Sequence, residues 1–225
     1  MMPRRLGFVT IGQSPRDDIV PAMMQYLPRE IEVLQAGALD GVDSASLAAL
    51  APEPGEYVLT TRLAGGGAVT VARRHVLPRL QAAVSRLAEQ RAEIVAVLCT
   101  GTFPDLEAPT LLIEPEKVFH GFCAGVVGKG HLGAIIPLPA QVAQAETRWR
   151  AAGVRSTVVA ASPYGGRSAL EEAAQRLKEA RVAAVALDCF GFTEEMRSRV
   201  REIVGKPAIL ANAYLARALA ELLAG

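Results

Sequence analysis

Two pairs of apolar segments repeat along this chain at fixed offsets, and this constrains the fold more than any single motif. Leu6-Gly7-Phe8-Val9-Thr10-Ile11 is echoed 126 residues later by Leu132-Gly133-Ala134-Ile135-Ile136-Pro137. Val95-Ala96-Val97-Leu98-Cys99 is echoed 90 residues later by Val185-Ala186-Leu187-Asp188-Cys189. Each run is strand-length and apolar, as a buried parallel strand is. A duplicated lobe accounts for both offsets if the first copy carries an insertion of the 36 residues by which they differ. A candidate insertion is visible, because residues 57–63 and 68–72 flank Gly65-Gly66-Gly67 in a hairpin pattern.

The remaining pattern alternates strands and helices. Strands are expected at 6–11, 94–99, 132–136, 156–160, 182–188 and 208–210. Helices are expected near 16–27, 75–91, 115–128, 140–152, 168–180, 193–204 and 212–224. Ser14 before Pro15, Ser168 before Ala-Leu-Glu-Glu, and Thr193 each read as helix caps. Such alternation predicts an α/β protein of two pseudo-symmetric lobes with mostly parallel sheets and right-handed crossovers. The expected division is 1–130, with the hairpin insertion near 57–72, and 131–211, with helix 212–224 packing back on the first lobe. Ligands of such sheets bind at the C-terminal strand ends.

Composition narrows the function. With 24 basic and 23 acidic residues the net charge is +1, which argues against a nucleic-acid partner. No apolar run is long enough to span a bilayer, so no membrane partner is expected. The opening Met1-Met2-Pro3-Arg4-Arg5 runs straight into a strand pattern, without the apolar segment of an export signal. Three cysteines then read as free thiols, and the cytoplasm is the expected setting.

Two of these thiols stand where chemistry is built. Cys99 ends a strand before Thr100-Gly101-Thr102, a turn whose hydroxyls and amides suit a carboxylate oxygen. Cys189 ends the corresponding strand before Phe190-Gly191-Phe192-Thr193, beside a helix start that favours a thiolate. Both are equally compatible with small buried core residues. Cys123 lies on an apolar helix face with Val118, Phe119, Phe122, Val126 and Val127 and reads as core. In the first loop, Gln13 and Ser14 supply donors, and Arg16 can grip a carboxylate through two hydrogen bonds. The Ser162–Ser168 stretch, rich in glycine, is a second loop suited to an anion. Arg73 and Arg74 follow the hairpin. His75, His120 and His131 show no metal-ligand spacing, and no phosphate loop, dinucleotide fingerprint or nucleophile elbow occurs. No metal or cofactor is therefore expected.

Taken together, Thr10-Ile11-Gly12-Gln13-Ser14-Pro15-Arg16-Asp17-Asp18-Ile19, Leu98-Cys99-Thr100-Gly101-Thr102-Phe103-Pro104, Leu187-Asp188-Cys189-Phe190-Gly191-Phe192 and Asn212-Ala213-Tyr214-Leu215-Ala216-Arg217 resemble the AroM family along the full chain. More distantly, the duplicated lobes and paired cysteines are similar to the aspartate/glutamate racemase superfamily. That resemblance implies a racemase-like fold in which Cys99 and Cys189 face one cleft as an acid/base pair. It implies that Thr100, Gly101, Thr102 and Gly191, with Gln13 and Ser14, hold the substrate's carboxylate. The chain departs from the racemases where Thr100 and Phe190 follow the cysteines, in place of their usual Asn and polar residues. Phe103, Phe190 and Phe192 would favour a less polar, even aromatic, acid if they faced the cleft.

Three readings stand on these residues. The first is a cofactor-independent racemase or isomerase acting α to a carboxylate. The second is a decarboxylase or lyase using one thiol. The third is a small-molecule-binding module that keeps the cleft without turnover. The partner in each case is a small carboxylate-bearing molecule, and a homodimer is a further expectation.

Overall fold

The computed structural model describes residues 4–224, so the Met1-Met2-Pro3 opening lies outside the described residues. Ten strands and eight α-helices follow in chain order. The first part holds β1 (Arg4–Thr10), α1 (Val20–Met24), β2 (Ile31–Gly37), α2 (Ser44–Ala48), β3 (Val58–Arg62), β4 (Ala68–Ala72), α3 (Arg73–Glu89), β5 (Ile94–Val97) and β6 (Leu111–Ile113). The second holds α4 (Pro115–Val127), β7 (His131–Ile136), a 3-10 turn (Pro139–Gln141), α5 (Val142–Ala151), β8 (Arg155–Ala160), α6 (Arg167–Glu179), β9 (Ala184–Leu187), α7 (Glu194–Val204), β10 (Ala208–Leu210) and α8 (Ala211–Leu223).

The repeat is realised in the backbone. One four-stranded sheet runs β2-β1-β5-β6 and the other runs β8-β7-β9-β10, and every pairing is parallel. Corresponding strands therefore take corresponding places. The register repeats as well: Leu6 pairs with Ile94 and Val9 with Val97, while Leu132 pairs with Ala184 and Ile135 with Leu187. Those positions differ by the same 126 and 90 residues that separate the sequence echoes. Even the close packing recurs. A Cβ on Gly7 would lie 3.1 Å from Leu87 Cδ1, and one on Gly133 would lie 2.9 Å from Leu177 Cδ1. Glycine at each spot lets a helix settle onto the sheet.

The insertion in the first copy comprises α2 and the β3–β4 hairpin, paired antiparallel from Val58–Ala72 to Arg62–Ala68. Gly66 turns it at φ +86°, a left-handed conformation that glycine adopts without strain.

Two compact units result. One runs up to Pro115 and takes the chain's end from Leu219; the other is Glu116–Ala218. This seam lies one helix earlier than the expected boundary at 130/131. The reason is that α4 packs Phe119 edge-on to Trp149 of α5 and sets His120 against the same indole at 3.9 Å. Most of helix α8 also belongs to the second unit, where Tyr214 donates to Val118 O at 3.1 Å and stacks on Phe122 at 4.6 Å. The core of the first unit gathers Val9, Val95, Val97, Leu80, Val84 and Phe103.

Three local expectations need correction. Ser14 caps no helix: α1 begins only at Val20, and the Ser14–Pro15 peptide is cis. Ser168 lies inside α6, whose N-cap is Gly166. On α4 the buried stripe is narrower than the sequence suggested. Phe119 and Cys123 are fully buried, but Phe122 and Val126 are 42% and 54% exposed. Thr193 does cap α7, accepting from Met196 N–H at 3.3 Å.

Candidate functional site

In the first unit, β5 delivers Cys99 to a turn. Leu98 N–H still donates to Val9 O at 2.7 Å, so the strand pairing ends only at the cysteine itself. The half-buried Cys99 then accepts the Gly101 N–H on its Sγ at 3.3 Å. Such a bond favours the thiolate form of a cysteine. Thr100 is buried, and Gly101 lies so close to Leu59 of the hairpin that a Cβ would sit 3.1 Å from Leu59 Cδ2. The insertion thus braces the turn. Thr102 N–H donates to the Tyr57 hydroxyl at 3.2 Å, and Arg73 donates to Thr102 O at 3.1 Å while lying 4.2 Å above the Tyr57 ring. Arg74 instead pairs with Glu53 and Glu56. Tyr57 carries no chemical signature in sequence; only its place at the foot of the hairpin hinted at such a role.

The loop after β1 opens at the same sheet end, because Val9 and Val97 are register partners. Gly12 lets it press against the hairpin, where a Cβ would meet Arg62 O at 2.4 Å. Gln13 accepts from Ala64 N–H at 3.0 Å and donates to Val42 O at 3.1 Å. Ser14 donates its hydroxyl and its N–H to Asp40, each at 2.7 Å. Arg16 is buried; its guanidinium holds Asp18 in a two-point grip at 2.8 and 2.9 Å and donates to Thr10 at 3.0 Å. These side chains hold the loop in shape through partners inside the unit.

In the second unit, β9 delivers Cys189 to the same kind of turn. Asp188 N–H donates to Ile135 O at 2.9 Å, and the half-buried Cys189 accepts Gly191 N–H on its Sγ at 3.5 Å. Tyr164, from the loop after β8, packs on Gly191 so closely that a Cβ would lie 2.7 Å from its hydroxyl. Asn212 clamps the turn by donating to Phe190 O at 2.8 Å and Phe192 O at 2.9 Å. Phe103, Phe190 and Phe192 are at most 3% exposed. They are core residues, and the aromatic character of a substrate finds no support in them.

Behind Cys189 lies a buried polar group that sequence reasoning did not single out. Asp188 is buried, with Arg148 Nη2 from α5 at 3.3 Å and His120 Nε2 from α4 at 3.6 Å from its carboxylate. Both His120 ring nitrogens are buried without a hydrogen-bond partner. Cys123 lies on the same helix, its thiol pushed far up by burial and further by the Asp188 charge. The available signal was a carboxylate closing an apolar strand run, where the first copy has Leu98. The Ser162–Ser168 loop opens a cavity of about 340 Å³ between α6 and α7, where Arg167 and Arg199 are both tied to Glu171 at 2.8 Å.

Solved structures similar to this chain align over nearly all of its length. Allantoin racemase from Klebsiella pneumoniae is 17% identical, with 98% of this chain and 88% of that one aligned at a TM-score of 0.63. A Cys→Ser variant of Nocardia farcinica maleate cis-trans isomerase, with a covalently bound succinylcysteine intermediate, is 12% identical over 98% and 92% at 0.63. Unliganded arylmalonate decarboxylase is 15% identical over 99% and 93% at 0.59. At these identities the likeness establishes a racemase-like fold. No curated protein matches the sequence. Among the described residues no helix is long and apolar enough to cross a membrane. The AroM protein family matches residues 6–223, and the chain belongs to that family.

Proposed function

We propose that this protein is a cofactor-independent racemase or isomerase that moves a proton at the carbon α to the carboxylate of a small acid. Cys99 and Cys189 are the two proton-carrying groups. One observation carries the reading: the same cysteine turn is built twice, each with the N–H of the glycine two residues on aimed at the sulfur. Inverting one carbon calls for like groups on its two faces, and a duplicated unit supplies the same group twice.

In this mechanism a Cys99 thiolate takes the α-proton. The electron pair of the broken C–H bond moves into the carboxylate as an enediolate, and the Cys189 thiol returns a proton to the opposite face, itself becoming the thiolate. The hydroxyls of Thr100 and Thr102 hold the developing charge, while the N–H groups of Gly101 and Gly191 stay on the two sulfurs and Gln13 and Ser14 brace the first loop. Arg16 acts through the loop that it braces. The fold neighbours lend support in kind: one is a racemase, and another carries a cysteine-bound intermediate in an isomerase.

A decarboxylase in which Cys189 alone protonates a carbanion is the second reading. It is favoured by the likeness to arylmalonate decarboxylase and by the buried Asp188 that precedes Cys189, where Leu98 precedes Cys99. Assays of Cys99→Ser and Cys189→Ser with small chiral acids and with malonates separate the two. The isomerase reading expects both variants to lose roughly 10²–10⁴ of the rate, the usual worth of a positioned acid or base. Loss confined to Cys189→Ser supports the decarboxylase instead.

A further inference from the structure

We infer that Asn212 is the positioning residue of the second cysteine turn: its amide pins the peptide whose N–H is aimed at the Cys189 sulfur. This deepens the isomerase reading, in which Cys189 carries a proton, and rests on it. Asn212 is the second residue of α8 and is buried. Its Nδ2 donates to Phe190 O at 2.8 Å and to Phe192 O at 2.9 Å. Two N–H groups on one nitrogen, at the end of a short side chain, are what the asparagine amide supplies.

The peptide unit turns that anchor into an aiming device. Phe190 C=O and Gly191 N–H belong to one planar trans peptide, so they point in opposite directions. Holding the oxygen on one side fixes the direction of the N–H on the other, and that N–H donates to Cys189 Sγ at 3.5 Å. The second bond fixes the Phe192–Thr193 peptide, where the turn passes into the Thr193 cap of α7. Between the two anchors the Phe190 and Phe192 side chains are buried in the core, and Tyr164 lies over Gly191. The Gly191 N–H cannot swing away from the sulfur without breaking the bond to Phe190 O.

The duplication supplies an independent observation. The 90 residues that separate Cys99 from Cys189 also separate Thr102 from Phe192. In the first unit Arg73, the first residue of α3, donates to Thr102 O at 3.1 Å. Both copies therefore tie the carbonyl three residues beyond the cysteine to a side chain at the start of a helix. Arginine and asparagine share only their N–H donors, and the bond to that carbonyl is what recurs. Asn212 adds a second bond, to the carbonyl one residue beyond its cysteine.

The consequence is chemical. An N–H on sulfur favours the thiolate, which Cys189 becomes each time it gives up its proton. A loosened turn weakens that donor and lets the sulfur drift from the reacting carbon, where small misplacements are costly.

The test compares the full-length wild type with Asn212→Leu, an apolar side chain of similar size, by the pH profile of iodoacetamide alkylation. Cys99 and Cys189 peptides are quantified by mass spectrometry, and normalised midpoints report ionisation apart from access. Asp188, Tyr164 and the other groups near the sulfur are common to both proteins, so a changed midpoint reports the clamp. The Cys189 midpoint should rise by about half a pH unit to one unit, the size of a lost hydrogen bond, with Cys99 unmoved. Asn212→Gln, which keeps both N–H groups, should return part of that shift. On an acid that the wild type inverts, Asn212→Leu should lower kcat by up to about tenfold and leave KM in place. An unmoved Cys189 midpoint, an equal rise at Cys99, or no return in Asn212→Gln overturns the inference. If Asn212→Leu does not fold, Asn212→Ser, with one donor, should show a smaller rise, and an unmoved midpoint there is equally fatal. In the wild type itself, the Gly191 amide should exchange as slowly as the strand amide of Asp188, and exchange at the free rate overturns the inference without any variant. α-Deuterium exchange on an acid with an unmoved midpoint refutes this inference alone; a raised midpoint without exchange on any acid refutes the isomerase reading alone.

Discussion

Arg148 reaches the Asp188 carboxylate at 3.3 Å inside the second unit, with side chains only 9% and 0% exposed. Breaking such a pair strands a buried charge, which costs about 3–5 kcal/mol. Arg148→Met should lower the urea unfolding free energy by that amount, whereas Arg148→Met with Asp188→Leu should recover most of it. A near-neutral single variant would show that water or another group already screens the carboxylate.

The paired glycines make a symmetrical prediction. Alanine at Gly133 places a methyl 2.9–3.0 Å from the Leu177 methyls, and alanine at Gly7 places one 3.1 Å from Leu87. Overpacking of this kind costs about 1–3 kcal/mol. Thermal unfolding should show both variants destabilised in that range, with the tighter Gly133 site the worse.

Helix starts separate a real cap from an apparent one. Thr193→Ala removes the acceptor for Met196 N–H and should cost about 1 kcal/mol. Ser168→Ala, within the first turn of α6 after its Gly166 cap, should stay within about 0.5 kcal/mol. Equal losses would contradict the assigned helix starts.

Cys123 predicts an alkaline loss of stability. Burial raises its thiol in the folded state above the ordinary value of 9.0. Below that value both states hold the proton and the group is silent. Above it only the unfolded state ionises, so stability falls with rising pH, by up to about 1.4 kcal/mol per unit. The pH dependence of unfolding for Cys123→Ala should lack this component; identical slopes above pH 9 would refute it.

Much of the fold was legible because parallel strands buried on both faces announce themselves as apolar runs, and a duplicated unit repeats their spacing. The strands that escaped were of another kind. β2 is mostly half-buried and carries Glu32 and Gln35, and β6 is three residues long with Leu111 exposed. Ser14 misled because its partner, Asp40, lies 26 residues away, beyond any local capping rule. The cysteine turns were visible as motifs. The Asp188, Arg148 and His120 group was not, since its members come from β9's end, α5 and α4 and share no spacing.

The most direct test of paired thiol chemistry is proton NMR of small chiral carboxylic acids incubated in D₂O with the wild-type protein. The proposed chemistry predicts loss of the α-proton signal in step with inversion, one deuterium entering per inverted molecule, and no exchange with Cys99→Ala or Cys189→Ala. Exchange that persists in both alanine variants, or its absence with every acid presented to the wild type, would contradict it.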